Sequence, residues 1–345
     1  MQAAVLEKLD SPLAIRDIST SDLNYGQVLV RVLVSGVCGA QLQEISGLKG
    51  NANFLPHLLG HEGCGIVQEI GPGVTNVQIG QKVVMHWRPG KGIDSQFPKY
   101  AYGEKVFTSG KVTTFSEFSI VSENRLTPVP EDTPPELAAL LGCGMTTAFG
   151  VVTNESGIKF GESIAVVGCG GVGLNLLQAA QMASATPIIA IDINDNKSEL
   201  AKNNGASYFV NSQSDMKELD FVTDNLGIDI IIDTTGNSEL IGKLIPKLSN
   251  SGRFVLVSQG GPSQKISFLG DSNFFGDKGK HIWSTQGGRT DPTQDIQRYL
   301  KLYKAGYLTY EKMITHRFEL NSINEALDTL RSGEAGRIMI QVNGA

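Results

Sequence analysis

The feature that most constrains the fold is the segment from Ser163 to Asp192, which combines an apolar strand, a glycine-rich turn, a helix and a second strand. Residues 164–167 (IAVV) run directly into residues 168–173 (GCGGVG), and an apolar helical stretch follows. This order is the fingerprint of a dinucleotide-binding βαβ unit. A glycine-rich pattern alone also occurs in ordinary turns, so the strand, the helix and the acid at the end of the next strand are what favour a cofactor site.

Each glycine of this turn has a physical role. Gly168 allows the tight turn, Gly170 the close approach of backbone to a pyrophosphate, and Gly173 the close packing of helix on strand. Backbone N–H groups at the start of the helix, together with the helix dipole, favour bound phosphates. We therefore expect the glycines of the turn to bind the cofactor, namely Gly168, Gly170, Gly171 and Gly173.

An acid at the end of the second strand indicates which cofactor binds. Asp192 lies about 20 residues beyond the last glycine, where the acid that binds the adenosine ribose belongs. A carboxylate accepts hydrogen bonds from both ribose hydroxyls but repels a 2′-phosphate. Residues 193–195 (IND) include no arginine that would neutralise such a phosphate. The sequence therefore predicts NAD rather than NADP.

The two parts of the chain differ in their patterning. From about residue 135, helical stretches of about ten residues alternate with apolar, β-branched runs, which is typical of a parallel sheet covered on both faces and hence of an α/β fold. The first 130 residues instead contain short strands punctuated by glycine and proline, as in a barrel or sandwich. Residues 88–111 show little periodicity, and we expect a long surface loop there.

Composition excludes several classes of protein. The net charge is −6, and acids and bases are interspersed, which argues against a nucleic-acid partner or an acidic membrane surface. The N-terminal residues lack the pattern of a signal peptide, and no apolar run approaches the ~20 residues that span a bilayer. We therefore expect a cytoplasmic protein. Four cysteines in 345 residues are too few for a disulfide framework.

Three of the cysteine and histidine residues form a candidate metal site. Cys38, His61 and Cys143 each lie in a glycine-rich segment of the β-rich part. Taken singly, each cysteine is more often a small buried hydrophobe, and a histidine more often a core residue. Together, two thiolates and an imidazole hold Zn²⁺ with the fourth position open to a substrate. The spacing is not a local motif, so both interpretations remain open at this point.

The order of these motifs resembles that of the zinc-dependent alcohol dehydrogenases of the medium-chain dehydrogenase/reductase superfamily. The likeness covers essentially the whole chain, and it is closest in residues 114–118, 142–147, 330–334 and the cofactor segment. It implies a GroES-like catalytic domain from residues 1–144 and 289–345, and an NAD-binding Rossmann domain from residues 145–288. It also implies a homodimer or homotetramer.

The resemblance assigns roles to individual residues. Cys38, His61 and Cys143 would bind the catalytic zinc, with Glu62 close behind it as an exchangeable ligand. Thr147 and Val172 would back the nicotinamide ring, Lys197 would contact the adenosine ribose, and Arg337 would reach the pyrophosphate.

Several departures from the family pattern bear on the chemistry. Residues 88–111 contain no cysteine, so we expect one catalytic zinc per chain and no structural zinc. Ala40 replaces the usual hydroxyl residue that takes the substrate proton, and Gln43 stands where some relatives have a relay histidine. Gln41 replaces an aspartate that supports the zinc histidine, and an amide brings no charge to that position.

The substrate pocket is less well defined. The family places an aromatic wall at Trp87, although a core residue at a strand end fits equally well, and Arg88 and His57 are further candidates. His57 and His86 are candidates for the missing proton relay. The basic residues of the loop suit a phosphate- or carboxylate-bearing substrate, such as a sugar derivative, or simply a solvated surface.

These observations favour hydride transfer between NAD(H) and a small alcohol or carbonyl compound, polyols and sugar derivatives included. Because Ala40 cannot transfer a proton, two alternatives stay open. One is an epimerase or lyase that oxidises its substrate only transiently, and the other is a reductase of activated double bonds. A non-enzymatic nucleotide-binding protein is a third class, which the three candidate metal ligands disfavour.

Overall fold

The computed structural model describes residues 1–49, 54–261, 263–268, 270, 272–275 and 279–343. The chain divides into two compact units. The first comprises Met1–Thr146, Asp291–Tyr310 and Ile314–Ala345, and the second comprises Thr147–Thr290 with Glu311–Met313. The helices and strands of both units are numbered here in chain order.

The N-terminal part of the first unit consists mainly of strands. These are β1 (Gln2–Leu6), β2 (Ala14–Asp17), β3 (Ser19–Thr20), β4 (Gln27–Val37), β5 (His57–Leu58), β6 (Glu62–Ile70), β7 (Lys82–His86), β8 (Lys99–Tyr102), β9 (Lys105–Thr108), β10 (Phe118–Ser122) and β11 (Leu126–Pro128). The helices of this region are α1 (Gly39–Ile45) and α2 (Pro135–Leu140), and α3 (Gly144–Gly150) begins in the first unit and ends in the second.

The second unit alternates strands and helices. Its strands are β12 (Ile164–Val167), β13 (Ile188–Asp192), β14 (Tyr208–Asn211), β15 (Ile228–Asp233), β16 (Leu248–Leu256) and β17 (His281–Ser284). Its helices are α4 (Gly171–Met182), α5 (Ser198–Asn203), α6 (Lys217–Val222), α7 (Ser238–Leu244) and α8 (Ser272–Phe275). The strands form one sheet in the order β14-β13-β12-β15-β16-β17, in which every neighbouring pair is parallel.

The chain then returns to the first unit through α9 (Pro292–Lys304), β18 (Ile314–Glu319), α10 (Ile323–Arg331) and β19 (Arg337–Gln341). The largest sheet of this unit has the order β11-β7-β6-β4-β19-β18, with β10 also paired to β4. Smaller sheets have the orders β2-β1-β5 and β3-β8-β9. Strand β19 pairs with β4, so the two ends of the sequence meet in one sheet.

Apolar side chains at alternate positions of the central strands form the core. Val28, Val30 and Val32 of β4 are fully buried and pack with side chains of β6 and β7. Ile338 and Ile340 of β19 pack in a second cluster with residues of α10. Burying each of these side chains stabilises the fold by about 2 kcal/mol, so the sheet around β4 is a firm base for residues at its strand ends.

Residues 88–111 differ from the predicted surface loop. Strands β8 and β9 pair as an antiparallel hairpin within this segment, and Tyr100 and Phe107 are buried with their rings 6.0 Å apart. The expectation of a loop without secondary structure is therefore wrong for the hairpin. The segment before it is held by the Glu123 carboxylate, which accepts the backbone N–H of Ile93 at 2.7 Å.

Among the residues that the structure describes, no helix is long and apolar enough to cross a bilayer.

Candidate metal centre

Three side chains of the first unit converge at the candidate metal centre. The ligand atoms of Cys38, His61 and Cys143 all lie within 4.8 Å of one another, and among the described residues this is the one such group of three or more. Cys38 follows β4 and is the N-cap of α1, His61 directly precedes β6, and Cys143 directly precedes α3. The three ligands therefore lie at the ends of elements that the core holds in place.

His61 is oriented by hydrogen bonding on one side only. Its Nδ1 lies 2.6 Å from the side-chain amide nitrogen of Gln41. Its Nε2 is buried and has no hydrogen-bond partner within the described part of the chain. A buried polar atom without a partner is costly and calls for an explanation. Two cysteine thiols and this nitrogen form a donor set that fits Zn²⁺, so the residues present fit the metal that the resemblance implies.

The two cysteines differ in acidity. A hydrogen bond from Cys143, with the neighbouring His61 and Arg337, holds the pKa of the Cys38 thiol well below its usual value. The same hydrogen bond, together with burial, raises the pKa of Cys143 well above the usual value. Of the two sulfur atoms, that of Cys38 therefore loses its proton more readily. A negative sulfur beside an imidazole favours a bound cation.

Glu62 and Arg337 form a buried ion pair next to the cysteines. An Arg337 Nη donates to Glu62 Oε1, and the side chains are 2% and 0% exposed. The backbone N–H of Gly144 donates to Glu62 Oε2 at 3.1 Å. A Cβ at Gly36 would lie 2.4 Å from Glu62 Oε1, which is why that strand position needs glycine. The predicted contact of Arg337 with a pyrophosphate stays a prediction, since the structure places its guanidinium on Glu62.

Gln41 links the first helix to the metal centre. Its side-chain oxygen accepts the backbone N–H of Cys38 at 2.9 Å, and its amide nitrogen faces His61. Glu44, one helical turn further along α1, has a carboxylate oxygen 4.0 Å from His61 Nδ1, and burial raises the pKa of this carboxyl. Sequence reasoning missed Glu44. Its spacing of three residues from Gln41 was the available signal, because residues three apart share a helix face.

A cavity of about 420 Å³ opens beside the centre, and His61, Trp87 and His57 are among the residues that line it. Two of the predicted pocket residues therefore lie where a substrate could reach the metal. Arg88 is not among the lining residues, and its guanidinium instead lies 5.6 Å from the Trp87 ring. Glu44 also lines this cavity.

His86, a candidate for the proton relay, is fully engaged in the fold. Its Nδ1 donates to the carbonyl oxygen of Arg88 at 2.7 Å, and its Nε2 accepts from the Thr127 hydroxyl at 2.9 Å. Burial lowers the pKa of His86 to about 4. Because both ring nitrogens are bonded within the protein, His86 has a structural role.

The glycine turn of the second unit has the geometry expected of a phosphate-binding turn. Gly168 has φ of 91°, and a Cβ at Gly173 would lie 1.8 Å from the carbonyl oxygen of Gly168. A Cβ at Gly170 would meet no atom within 4 Å, so the backbone there is open to a ligand. Asp192 ends β13, and its carboxylate accepts the N–H groups of Cys169 and Asn194 at 2.6 and 3.0 Å.

The remaining cofactor candidates also lie in the second unit. Thr147 and Lys197 are 7% and 3% exposed, and Val172 is half-buried in the first turn of α4. Burial raises the pKa of Cys169 within the turn, which fits a small core residue rather than a reactive thiol. Burial likewise raises the pKa of Cys64 to about 12.

Known proteins share both units. Residues 24–131 match the family model of the alcohol dehydrogenase GroES-like domain, and residues 171–305 match that of zinc-binding dehydrogenases. The chain is 31% identical to the S-(hydroxymethyl)glutathione dehydrogenase of Synechocystis sp. over 98% of this chain and 99% of that protein. This chain belongs to the zinc-dependent alcohol dehydrogenase family.

Solved structures agree with this membership. The crystal structure of benzyl alcohol dehydrogenase from Acinetobacter calcoaceticus matches with a TM-score of 0.88 and 26% identity, covering 99% of each chain. The structure of 2R,3R-butanediol dehydrogenase from Bacillus subtilis matches with a TM-score of 0.80 and 25% identity over 99% of each chain. As a member of the family the chain is an oxidoreductase, and the predicted α/β fold with GroES-like and Rossmann parts is confirmed.

Proposed function

We propose that this alcohol dehydrogenase homologue transfers a hydride between NAD(H) and an alcohol or carbonyl substrate, with one zinc per chain held by Cys38, His61 and Cys143. The observation that carries the proposal is the convergence of two thiols and a buried, unpartnered imidazole nitrogen beside a cavity. A zinc ion supplies Lewis acidity there, which favours loss of the hydroxyl proton and so removal of the hydride.

Residues behind the metal ligands hold the centre in shape. Arg337 and the Gly144 N–H engage both carboxylate oxygens of Glu62, so exchange of Glu62 onto a metal requires breaking this buried ion pair. Breaking such a pair costs about 3 kcal/mol or more. Glu62 therefore acts mainly as the partner that fixes Arg337 beside the two sulfur atoms.

The second unit is proposed to bind NAD. The open backbone at Gly170 and the N-terminus of α4 suit the pyrophosphate, and the Asp192 carboxylate suits the ribose hydroxyls. Asp192 already accepts two backbone N–H groups, which hold its carboxylate at the end of β13. Thr147, Val172 and Lys197 keep the roles that the family resemblance gives them, the first two at the nicotinamide ring and Lys197 at the ribose.

The proton released on oxidation is proposed to pass to the imidazole of His57. Ala40 offers no hydroxyl, whereas His57 lines the same cavity as His61. Burial lowers the pKa of His57, so the ring is neutral near pH 7 and can accept a proton. The imidazole of His57 would thereby replace the hydroxyl relay that Ala40 lacks.

The test of the proposal is purification of the full chain with zinc, followed by metal analysis and assay with NAD and a panel of alcohols, polyols and sugar derivatives. We expect one zinc per chain and net formation of NADH. Replacing Cys143→Ser should abolish both the metal and the NADH. Absence of NADH from every alcohol, with zinc and NAD bound, would contradict hydride transfer to a free product.

One observation favours a second candidate function. Without a hydroxyl at Ala40, release of the substrate proton is handled differently from the family pattern, which suits an epimerase or lyase that oxidises its substrate transiently. Incubation with a polyol or sugar in deuterated water separates the two. Deuterium exchange or rearranged product without net NADH supports the second candidate.

A further inference from the structure

The cavity beside the metal centre contains two cationic side chains, Lys111 and Arg125, which differ in how their charge is balanced. Lys111 Nζ lies 2.7 Å from a carboxylate oxygen of Asp94 and 5.4 Å from the centroid of the Phe97 ring. The other Asp94 oxygen accepts the side-chain amide of Asn124 at 3.1 Å. Asp94 therefore neutralises Lys111 and has both of its oxygens engaged.

Arg125 has no comparable partner among the residues that the structure describes. It ends the short helical turn after β10 and is half-buried, and its Nε is buried without a hydrogen bond. Among the described residues, no hydrogen bond or ion pair to its guanidinium is found. The nearby His86 ring is neutral and both of its nitrogens are bonded elsewhere. Burial lowers the pKa of Arg125, and the nearby charge of Asp94 opposes this shift without forming a direct ion pair with the guanidinium.

A half-buried cation without a direct ion pair is stabilised when a ligand supplies the opposite charge. A guanidinium presents parallel N–H groups that match the two oxygens of a carboxylate or phosphate. The cavity that Arg125 lines also contains His61 of the metal centre, and its volume of about 420 Å³ suits a small molecule. Trp87 and Phe97 add aromatic surface to the same cavity.

We propose that Arg125 is a specificity residue that binds an oxyanion, carboxylate or phosphate, on the substrate whose hydroxyl or carbonyl group reaches the metal centre. This inference rests on the proposed function and names its substrate class. The substrate is a hydroxy acid or a phosphorylated alcohol with an apolar or aromatic middle, rather than a neutral alcohol. The basic bias of residues 88–111 suits an anionic substrate, but Lys111, which lines the cavity, is already paired, and Arg125 lies outside that segment.

The kinetic test compares 4-(hydroxymethyl)benzoate with benzyl alcohol, which differ by one carboxylate, in the zinc- and NAD-loaded enzyme. We expect Arg125→Met to lower the ratio of kcat/KM for the acid to that for the neutral alcohol at least about tenfold, the value of one charged hydrogen bond. The loss should be in KM rather than kcat. Arg125→Lys should recover part of the ratio, and Lys111→Met should change it less than about threefold.

A binding measurement keeps this test separate from that of the proposed function. Calorimetry with benzoate and with inorganic phosphate, which need no turnover, should show binding to the wild-type chain that is at least about tenfold weaker in Arg125→Met. We also expect Arg125→Met to melt at the same temperature as the wild type or higher, because the substitution removes a half-buried cation that has no direct ion pair among the described residues.

Failure to oxidise either alcohol, with benzoate or phosphate binding lost in Arg125→Met, would count against hydride transfer but support the anion site. Equal ratios and equal binding in wild type and Arg125→Met would overturn the anion site while leaving hydride transfer intact. Failure of both anions to bind the wild-type chain would also overturn it.

Discussion

At the scale of single residues, the sequence identified the groups with distinctive chemistry but not their surroundings. Cys38, His61 and Cys143 were recognised as a donor set, and the structure brings their ligand atoms within 4.8 Å. Arg125 was missed because its role depends on segments far away in the chain, whereas Glu44 was missed although its spacing from Gln41 was a local signal. An arginine on a short turn has no local pattern that distinguishes a cavity wall from a solvated surface.

Gln41 carries the sharpest prediction at this scale. Its oxygen is occupied by the Cys38 N–H, so its amide N–H points at His61 Nδ1 and favours the tautomer with the proton on Nε2, the nitrogen that a metal needs free. A carboxylate would instead accept from Cys38 and from a protonated Nδ1. We expect Gln41→Glu to bind zinc about tenfold or more tightly in a chelator competition.

The matched control is Gln41→Met, which removes the polar group and keeps the length of the side chain. It should lose the Cys38 cap without gaining affinity. If Gln41→Glu bound zinc no better than the wild type, the tautomer argument would be wrong.

The lowered pKa of His86 should make the stability of the folded protein depend on pH. Its folded pKa of about 4 lies below the unfolded value near 6.5, so the unfolded chain takes up the proton first. The contribution of neutral His86 to the free energy of unfolding is fully present above pH 6.5. It falls by about 3 kcal/mol as the pH drops towards 4. The melting temperature of His86→Gln should change less between pH 7 and about 4.5. A variant with the same pH slope as the wild type would count against this account.

At the scale of elements, strongly patterned segments were predicted well and weakly patterned ones were not. The expected strand at 164–167 and the glycine turn that follows it are present, because the apolar run and the turn chemistry agree. Helix α7 ends at Leu244, shortly before Pro246, which has no N–H to continue an α-helix. The hairpin of β8 and β9 was missed because its buried residues, Tyr100 and Phe107, are few in a polar segment.

Two glycines of the cofactor turn have different roles, one in packing and the other in binding the cofactor. A methyl group at Gly173 would collide with the Gly168 carbonyl, whereas one at Gly170 would meet open space. We expect Gly173→Ala to lower the stability of the second unit by about 1–3 kcal/mol in urea unfolding. Gly170→Ala should keep the stability and weaken NAD in a fluorescence titration. Equal effects of the two changes on both measurements would contradict these separate roles.

We expect Asp192, at the end of β13, to determine the preference for NAD over NADP. Asp192→Asn keeps an oxygen for the Cys169 N–H and removes the charge that repels a 2′-phosphate. The preference for NAD over NADP, measured as the ratio of kcat/KM or of Kd values, should fall about tenfold or more. An unchanged preference would place the ribose elsewhere.

At the scale of the whole molecule, the resemblance to zinc-dependent alcohol dehydrogenases foretold the family and the fold, because motif order is preserved along the whole chain. It does not extend to the substrate of this cavity, which we propose depends on Arg125, whose Nε is buried without a hydrogen bond among the described residues. Homo-oligomer formation and the number of zinc ions stay predictions, and light scattering and metal analysis measure them.

The most direct test of the metal centre is titration of the metal-free chain with Co²⁺, followed by absorption spectroscopy. A centre made by two cysteines and one histidine predicts one equivalent of tight binding and an intense sulfur-to-cobalt charge-transfer band. The band should weaken in Cys38→Ser and in Cys143→Ser. Absence of stoichiometric binding, or a band that survives both substitutions unchanged, would contradict a metal held by Cys38, His61 and Cys143.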